Sequence, residues 1–373
     1  MLKNSTSRRK FIKNTTAIVT TGLFYSFNII QKPRLSKNII GQGNFRYRAD
    51  LSWGNLDPVK TPVKDCHEMV QDRHGRIILL TNETKNNIII YDKFGKLVKT
   101  WGHDFAGAHG LTLVDEGGED MLYITDTVSQ AVYKTTLEGK VVMKLPFPET
   151  LKEQYNPQNY RPTETAVAAN GNMYVADGYG SQLILQYDVQ GNFIRSFGGP
   201  GWLWKELLEK RYPDNIKSEN KPAQEDPTLL NNAHGIAIDK RNKEAPELLI
   251  TSRMDNIIKR FTLDGKFLSN IEIPGAFVCR PVVNGENIYA AVLRSDIPSR
   301  DETGFLTILN EKNQVVSNPG GTAPEYKSNQ LKQIEQQEKI FKHPHDVCID
   351  DEKNLYVPQW NSGKVYPVKL NRV

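Results

Sequence analysis

A short motif recurs three times along this chain, and each copy opens a stretch in which apolar and polar residues alternate. Alternation with a period of two is the pattern of a half-buried β-strand. A turn and a second strand rich in Tyr, Val, Ile and Leu follow each copy, so the repeat is a β-unit with a histidine at its head. The copies read His109-Gly110-Leu111-Thr112-Leu113, His234-Gly235-Ile236-Ala237-Ile238 and His345-Asp346-Val347-Cys348-Ile349.

The motif belongs to a larger repeat of six units, each of about 40 residues and each with four predicted strands. The sixth unit lacks an outer strand, whereas residues 45–50 form a strand without a partner upstream of the first unit. Pairing these two ends would close the ring and remove its open edges. The sequence therefore predicts an all-β fold, a six-bladed β-propeller closed by an N-terminal strand. The units span about 63–102, 107–145, 160–199, 232–273, 275–321 and 343 to the C-terminus.

Length and charge are consistent with one propeller domain over residues 45–373. A length of 373 residues would otherwise suggest two or three domains. The net charge of +5 is misleading, because residues 1–40 hold eight Lys and Arg and no acidic residue, which leaves 40 basic against 43 acidic residues elsewhere. The predicted propeller is thus slightly acidic and has no reason to bind nucleic acid. We expect it to be a monomer.

Residues 1–40 are predicted to be an export signal and linker. The adjacent Arg8 and Arg9 precede Phe11 and Lys13, and an uncharged, largely apolar stretch follows over residues 14–30. This arrangement resembles the twin-arginine signal of bacteria, which implies the twin-arginine translocase as a partner during export. We therefore expect the protein in the periplasm or on the outer face of the cytoplasmic membrane. No clear A-x-A cleavage site follows, so an uncleaved membrane anchor is the alternative.

The strand heads of the six units define a ring of equivalent positions that is rich in metal-binding side chains. His109, His234 and His345 occupy alternate units, so in a six-fold ring they lie about 120° apart around the axis. Three neutral imidazoles that converge with one position open are the donor set of a catalytic zinc site. His67, Cys279 or His343 could instead supply a fourth ligand and close the site. The ring positions are His67, His109, Thr163, His234, Cys279 and His345.

The loops after each second strand should return to the face that carries these histidines. The inner strand leaves that face and the second strand comes back to it. A phenol and two guanidiniums lie in such loops, and Tyr179 and Arg253 come from neighbouring units. We expect them to line the same cavity, whereas the alternative is an exposed loop tip without a role. The positions of interest in these loops are Asn82, Tyr179, Arg253 and Arg294.

Two insertions interrupt the repeat, at about 202–230 and 326–342. The first is charged with a Pro-rich second half, and the second is rich in Gln, Glu and Lys and is expected to be helical. Each precedes a histidine of the ring, so both should lie on the histidine face, either as a rim or lid or as solvated loops. Three widely spaced cysteines define no disulfide framework.

At these residues the sequence resembles the NHL-repeat propellers and, among them, the peptidyl-α-hydroxyglycine α-amidating lyases. The strand heads, the Asp177-Gly178-Tyr179 loop and Arg253 carry the resemblance, which covers roughly residues 60–370. It implies a zinc ion held by three histidines, a tyrosine base and arginines that hold the substrate. Such lyases cleave the C–N bond of a carbinolamide to give an amide and glyoxylate. By this resemblance the zinc ligands would be His109, His234 and His345, with Tyr179 as base and Arg253 as a nearby cation.

The same resemblance implies a structural calcium ion, held by Asp346 and by the backbone carbonyls of Met69 and Leu111. Two positions depart from the family pattern and bear on substrate binding. Asn82 stands where an arginine is expected, and His343 stands where a methionine is expected. The family's disulfide cysteines are also missing. Asn82, Arg294 and His343 are therefore the candidates for contacts with a small-molecule or peptide-derived substrate.

Two functions of different kinds follow from the sequence. The first is an exported zinc-dependent lyase that acts on a carbinolamide-like substrate. The alternative is a non-catalytic exported propeller that serves as a binding or scaffold module, because a fold alone does not define a function. A lactonase-type hydrolase would need carboxylates at the axis, and the six ring positions hold none.

Overall fold

The computed structural model describes residues 35–211, 222–295 and 302–373. The predicted export signal lies outside the described residues. Within the described ranges no helix is long and apolar enough to span a membrane. The first two strands, β1 (Leu35–Gln42) and β2 (Phe45–Asp50), form an antiparallel hairpin.

The next five blades are four-stranded antiparallel sheets, each built from consecutive strands. Their bounds are β3 (Cys66–Gln71), β4 (Ile77–Thr81), β5 (Ile88–Tyr91) and β6 (Leu97–Trp101); β7 (Ala108–Glu116), β8 (Glu119–Asp126), β9 (Ala131–Thr136) and β10 (Val141–Leu145); β11 (Glu164–Val167), β12 (Met173–Ala176), β13 (Leu183–Tyr187) and β14 (Phe193–Gly198); β15 (Ala233–Asp239), β16 (Glu247–Ser252), β17 (Ile257–Thr262) and β18 (Phe267–Glu272); and β19 (Ala276–Asn284), β20 (Asn287–Ser295), β21 (Phe305–Leu309) and β22 (Val315–Ser317).

The sixth blade combines the two ends of the chain. Its strand order is β1, β2, β27 (Val368–Arg372), β26 (Leu355–Val357) and β25 (Cys348–Ile349). Tyr47 pairs with Arg372 and Ala49 with Leu370 in an antiparallel ladder. The predicted closure by the strand at residues 45–50 is therefore confirmed. The boundary of the linker at residue 40 is wrong, because β1 already begins at Leu35 and adds a fifth strand to this blade.

The core lies between neighbouring blades. Because each sheet is covered on both faces, its middle strands are continuous apolar runs rather than alternating ones. All four residues of β5 are buried, for example, and Ile88 and Ile90 pack against Leu111 and Ile124 of the next blade. Propeller stability thus comes from the burial of apolar area between blades, at about 25 cal/mol per Å².

The second insertion does not form the helix that was expected from its composition. Residues 326–331 form a hairpin of two short strands, β23 (Tyr326–Lys327) and β24 (Gln330–Leu331). Ser328 and Asn329 both have positive φ, 50° and 64°, which is the turn that suits a two-residue hairpin and that a helix cannot accommodate. Beyond the hairpin, the amide of Ile334 donates to the carbonyl of Pro274, just before β19.

The first insertion begins with the one α-helix of the described ranges, α1 (Trp202–Arg211). Its Trp204 indole donates to the carbonyl of Gly180 at 3.2 Å. The helix therefore packs on the loop that carries Tyr179, at the face where the insertion was expected. Three 3-10 turns complete the described structure, at Glu149–Leu151, Pro157–Asn159 and Arg253–Asp255.

Ring closure makes a testable prediction about Leu370. This side chain is fully buried in the sixth blade, so Leu370→Ala should lower the free energy of unfolding by about 2–5 kcal/mol. Val373→Ala is the control, because Val373 is 55% exposed just beyond the same strand and should change stability by less than about 0.5 kcal/mol. Urea unfolding measures both, and equal effects would contradict a closed sixth blade.

Candidate metal centre

The heads of the inner strands are irregular in a way that turns their side chains toward the propeller axis. The pairing register shifts between Cys66 and Glu68, between Ala108 and Gly110, and between Ala233 and Ile236. Such a bulge bends the strand and redirects a side chain. In the sixth blade the amide of His345 instead donates to the carbonyl of Pro358 at 3.0 Å.

These irregularities bring four buried imidazoles together on the axis. The ring centroids of His109, His234 and His345 form a nearly equilateral triangle with sides of 4.8, 4.8 and 4.9 Å. His67 lies outside one edge of that triangle, 4.9 Å from His109 and 4.8 Å from His345. The three histidines predicted from alternate placement are thus mutually adjacent, and so are His67, His109 and His345.

Three hydrogen bonds distinguish this triangle from the fourth histidine. Each imidazole of the triangle has its Nδ1 next to the backbone carbonyl of the following ring position: His109 to Thr163 at 2.8 Å, His234 to Cys279 at 3.1 Å and His345 to His67 at 3.1 Å. A carbonyl oxygen can only accept, so each Nδ1 carries the proton and each Nε2 keeps its lone pair. The Nδ1 of His67 has no hydrogen-bond partner.

Burial keeps these imidazoles neutral. It holds the pKa of His109, His234 and His345 well below the ordinary value, and it lowers the pKa of His67 to about 3. A neutral imidazole whose Nδ1–H is held by a backbone carbonyl, and whose Nε2 carries the lone pair, is the form that binds a metal ion, and His109, His234 and His345 have this form.

The donor atoms therefore fit a metal ion in more than one combination. The donor atoms of His67, His109 and His345 lie within 4.8 Å of one another, and so do those of His234, Cys279 and His345. Both groups include His345, and a neutral imidazole offers one lone pair, so the two combinations cannot be filled at once.

Tyr179 lies directly over this cluster. Its hydroxyl is 3.2 Å from Nε2 of His109 and 3.1 Å from Nε2 of His234. The side chain is 37% exposed, but its hydroxyl end is enclosed by the imidazoles. Burial therefore raises the pKa of Tyr179 above its ordinary value, and the positive charge of Arg253 opposes that rise.

The loop that carries Tyr179 can approach the axis because the preceding residue is glycine. A Cβ atom at Gly178 would lie 2.0 Å from the carbonyl oxygen of Ala233 and 2.6 Å from the hydroxyl of Thr163. The carboxylate of Asp177 anchors the other side of the loop, because it accepts from the amide and hydroxyl of Ser181, both at 2.7 Å.

Two cations lie close to one aromatic ring beside the tyrosine. The guanidinium carbons of Arg253 and Arg294 each lie 4.8 Å from the ring centroid of Phe277. Arg253 is also 6.0 Å from the ring of Tyr179, and its Nε donates to Oδ1 of Asn232 at 2.7 Å. Tyr179 and Arg253, which were predicted to face the same cavity, thus lie next to each other.

Phe277 and Asn232 were not identified from the sequence. Asn232 has a positive φ of 69°. Its side-chain amide nitrogen donates to the carbonyl of Gly178 while its side-chain oxygen accepts from Arg253, so Asn232 links the arginine to the tyrosine loop. An asparagine directly before β15 could have indicated a turn of this kind, because asparagine tolerates a positive φ. An aromatic ring two residues before Cys279 carried no signal of its own.

The other substrate-binding candidates make contacts within the protein. Asn82 accepts from the amide of Asp65 and donates to its carboxylate, both at 3.0 Å. His343 accepts at Nε2 from the amide of Glu302 at 3.1 Å, and its ring lies 6.1 Å from that of Trp360. Each therefore holds two loops together.

The residues expected to hold calcium do not fit that ion. The guanidinium of Arg280 is 3.0 and 2.7 Å from the two carboxylate oxygens of Asp346, and 3.0 Å from the carbonyl oxygen of Leu111. The backbone amide of Met69, rather than its carbonyl, contacts Asp346, and it donates to Oδ2 at 3.1 Å. A fixed positive charge thus stands among these groups, where a calcium ion would need the same oxygen atoms.

The fold and its axial cluster define the class of protein, a six-bladed β-propeller with a group of histidines able to bind a metal ion. Among known proteins the chain is similar to peptidyl-α-hydroxyglycine α-amidating lyases. It is 34% identical over 119 residues to a probable lyase of this kind from Caenorhabditis elegans, which covers 31% of this chain and 32% of that protein. It is 36% identical over 112 residues to lyase 1 of Drosophila melanogaster, which covers 28% of this chain and 19% of that protein.

The match thus spans a third or less of the length of these relatives. No protein-family model matches the chain. Two of the solved structures that share its fold are enzymes. One is a streptogramin B lyase, with a TM-score of 0.52 at 13% identity over 85% of this chain and 95% of that one. The other is a gluconolactonase of Xanthomonas campestris, with a TM-score of 0.54 at 9% identity over 91% of this chain and 96% of that one.

The close approach at Gly178 can be tested by a single methyl group. Gly178→Ala should lower the free energy of unfolding by about 1–3 kcal/mol, because the new Cβ overlaps the backbone of Ala233. Val128→Ala is the control, because Val128 is 66% exposed in the corresponding loop of the neighbouring blade. Urea unfolding of both variants measures the difference, and an unchanged stability of Gly178→Ala would mean that the loop is looser than described.

Proposed function

We propose that this protein is an exported, zinc-dependent lyase of the amidating-lyase type, which cleaves the C–N bond of a carbinolamide-like substrate. The observation that carries the proposal is the hydroxyl of Tyr179 within 3.2 Å of two Nε2 atoms whose Nδ1–H groups are fixed. Similarity to amidating lyases over part of the chain supports the same reaction class. Export is proposed from the twin-arginine pattern at Arg8 and Arg9.

Zinc is proposed because the donor set suits it. Three imidazole Nε2 atoms, from His109, His234 and His345, are the ligands of a catalytic zinc site that keeps one position for substrate. When bound, zinc would polarise a substrate oxygen and lower the pKa of its hydroxyl group. The carbonyls of Thr163, Cys279 and His67 would hold the three rings in their ligating tautomer.

Tyr179 would move the proton in this reaction as its phenolate, the form that the positive charges of Arg253 and of a bound metal ion would favour against the burial that raises its pKa. It takes the proton from the carbinolamide hydroxyl, and the oxygen lone pair then forms the new C=O bond as the C–N bond breaks. The electron pair of that bond goes to nitrogen, which receives the proton back from the tyrosine. The products are an amide and an aldehyde, and they contain all the atoms of the substrate.

The two arginines would bind and orient an anionic part of the substrate. Guanidinium groups pair with carboxylates through two parallel hydrogen bonds. Arg253 is suited to this role because its Nε is already held by Asn232 and its plane is packed against Phe277. Arg294, whose guanidinium also lies 4.8 Å from the Phe277 ring, is the second candidate. It would fill the role that Asn82, a neutral side chain, cannot.

The direct test is the release of glyoxylate by the purified full-length protein from an N-acyl-α-hydroxyglycine. Time-dependent glyoxylate that requires the bound metal supports the lyase. Stoichiometric metal without turnover on any such compound leaves the binding-module alternative, and a protein that retains no metal rejects the lyase.

Metal content tests the ligand set independently of activity. His109→Ala, His234→Ala and His345→Ala should each lose most of the bound zinc, because each removes one of three converging donors. His67→Ala should retain it, because the Nδ1 of His67 has no partner to orient the ring. Metal analysis after dialysis measures this. If His67→Ala loses as much zinc as His234→Ala, the site has four ligands and no open position.

The role of Tyr179 is tested by Tyr179→Phe. Turnover should fall by about 10²–10⁴, the usual contribution of a positioned general base, while zinc content and fold are retained. Tyr326→Phe is the control, because the hydroxyl of Tyr326 donates to the carbonyl of Val315 at 3.2 Å and the residue is 42% exposed in the second insertion. Steady-state glyoxylate release measures both variants. Full activity of Tyr179→Phe would contradict a tyrosine base.

A further inference from the structure

A second layer of side chains lies on the axis directly beneath the histidine ring. Each member immediately follows a ring position, and four of the six are charged and buried. Glycine fills the other two positions because space is lacking: a Cβ at Gly235 would lie 2.3 Å from the carbonyl oxygen of Cys279. The layer consists of Glu68, Gly110, Glu164, Gly235, Arg280 and Asp346.

Arg280 is the single cation of this layer among the described residues, and it contacts the other three charged members. It binds Asp346 through two hydrogen bonds of 3.0 and 2.7 Å, and it lies 3.1 Å from Glu68 and 3.8 Å from Glu164. Its third donor group binds the carbonyl of Leu111 at 3.0 Å. One guanidinium thus joins five of the six blades.

Without this guanidinium the layer would be an uncompensated group of acids. Glu68, Glu164 and Asp346 are each at most 1% exposed, and Oε2 of Glu164 has no hydrogen-bond partner. Burial of an unpaired carboxylate costs several kcal/mol. The layer therefore needs a positive charge at its centre, and carboxylate and carbonyl oxygens are also the ligands that calcium prefers.

We propose that Arg280 serves as a built-in structural cation on the propeller axis, in the place where amidating lyases are expected to hold calcium. The fold is thereby independent of calcium. Two partners of Arg280, Glu68 and Glu164, directly follow His67 and Thr163, whose carbonyls accept from two of the imidazoles.

The test compares thermal unfolding of the full-length protein with and without added calcium. Wild-type protein should contain no stoichiometric calcium by metal analysis, and its melting temperature should not change in millimolar CaCl2. Arg280→Ser removes the cation and leaves space among three carboxylates. This variant should melt about 5–10 °C lower, and CaCl2 should restore several degrees of that loss, whereas MgCl2, which demands a tighter octahedral shell, should restore less.

Two further variants separate a cation site from general damage. Arg241→Ser is the matched control, because Arg241 also binds a carboxylate, Asp239, and a carbonyl, that of Asn310, away from the axis. It should lose stability without any response to calcium. Arg280→Lys keeps the positive charge but loses the planar guanidinium and its several donors. This variant should fold, its melting temperature should lie between those of wild type and Arg280→Ser, and added calcium should not change it.

Three results would overturn the proposal. They are calcium bound to the wild-type protein in a one-to-one ratio, a wild-type melting temperature that rises with CaCl2, and an Arg280→Ser variant that folds but shows no calcium response. If Arg280→Ser fails to fold without calcium, refolding in CaCl2 gives the answer, because recovery of folded protein supports the proposal and no recovery rejects it. None of these measurements depends on lyase activity, so failure of the proposed function would leave them intact.

Discussion

Three hydrogen bonds between neighbouring blades determine what the centre of this propeller can do. Each runs from the Nδ1–H of an axial imidazole to the backbone carbonyl of the next blade, and each therefore directs one Nε2 lone pair into the common space. The inter-blade core positions the strands that carry both partners. Any change that rotates one blade would alter the positions of the donor atoms as well as the packing, so stability and the geometry of the histidine cluster depend on the same contacts.

Periodicity was sufficient to predict the ring but not the layer beneath it. Alternate spacing of His109, His234 and His345 predicted their meeting on the axis, and the position of Tyr179 after a second strand predicted that it would face them. A strict period of two also sends the residue after each histidine away from the axis. The bulges at the strand heads break that rule, and for this reason Glu68, Asp346 and Arg280 were missed as a connected group.

Other parts of the fold could not be predicted because their signals were local and weak. Strand β1 has no clear alternation, and its position depends on bonds to the fifth blade, such as that from the amide of Gln42 to the hydroxyl of Ser317. The polar composition near residue 330 is compatible with a helix or a hairpin, and the turn at Ser328 and Asn329 decides between them. Phe277 has significance only through the two arginines that pack on it.

The joining of both ends in the sixth blade has a consequence for how the chain folds. Arg372 bonds the carbonyl of Asn44, a residue 328 positions away. Contacts of such large sequence separation form late, because the chain loses the entropy of closing a long loop before the contact contributes any favourable energy. The first five blades can assemble from local hairpins, whereas the sixth requires β2 to pair with β27, about 320 residues further along the chain. Until the sixth blade forms, the axial cluster is open on one side, and the first and fifth blades each expose an apolar face that the sixth blade later covers.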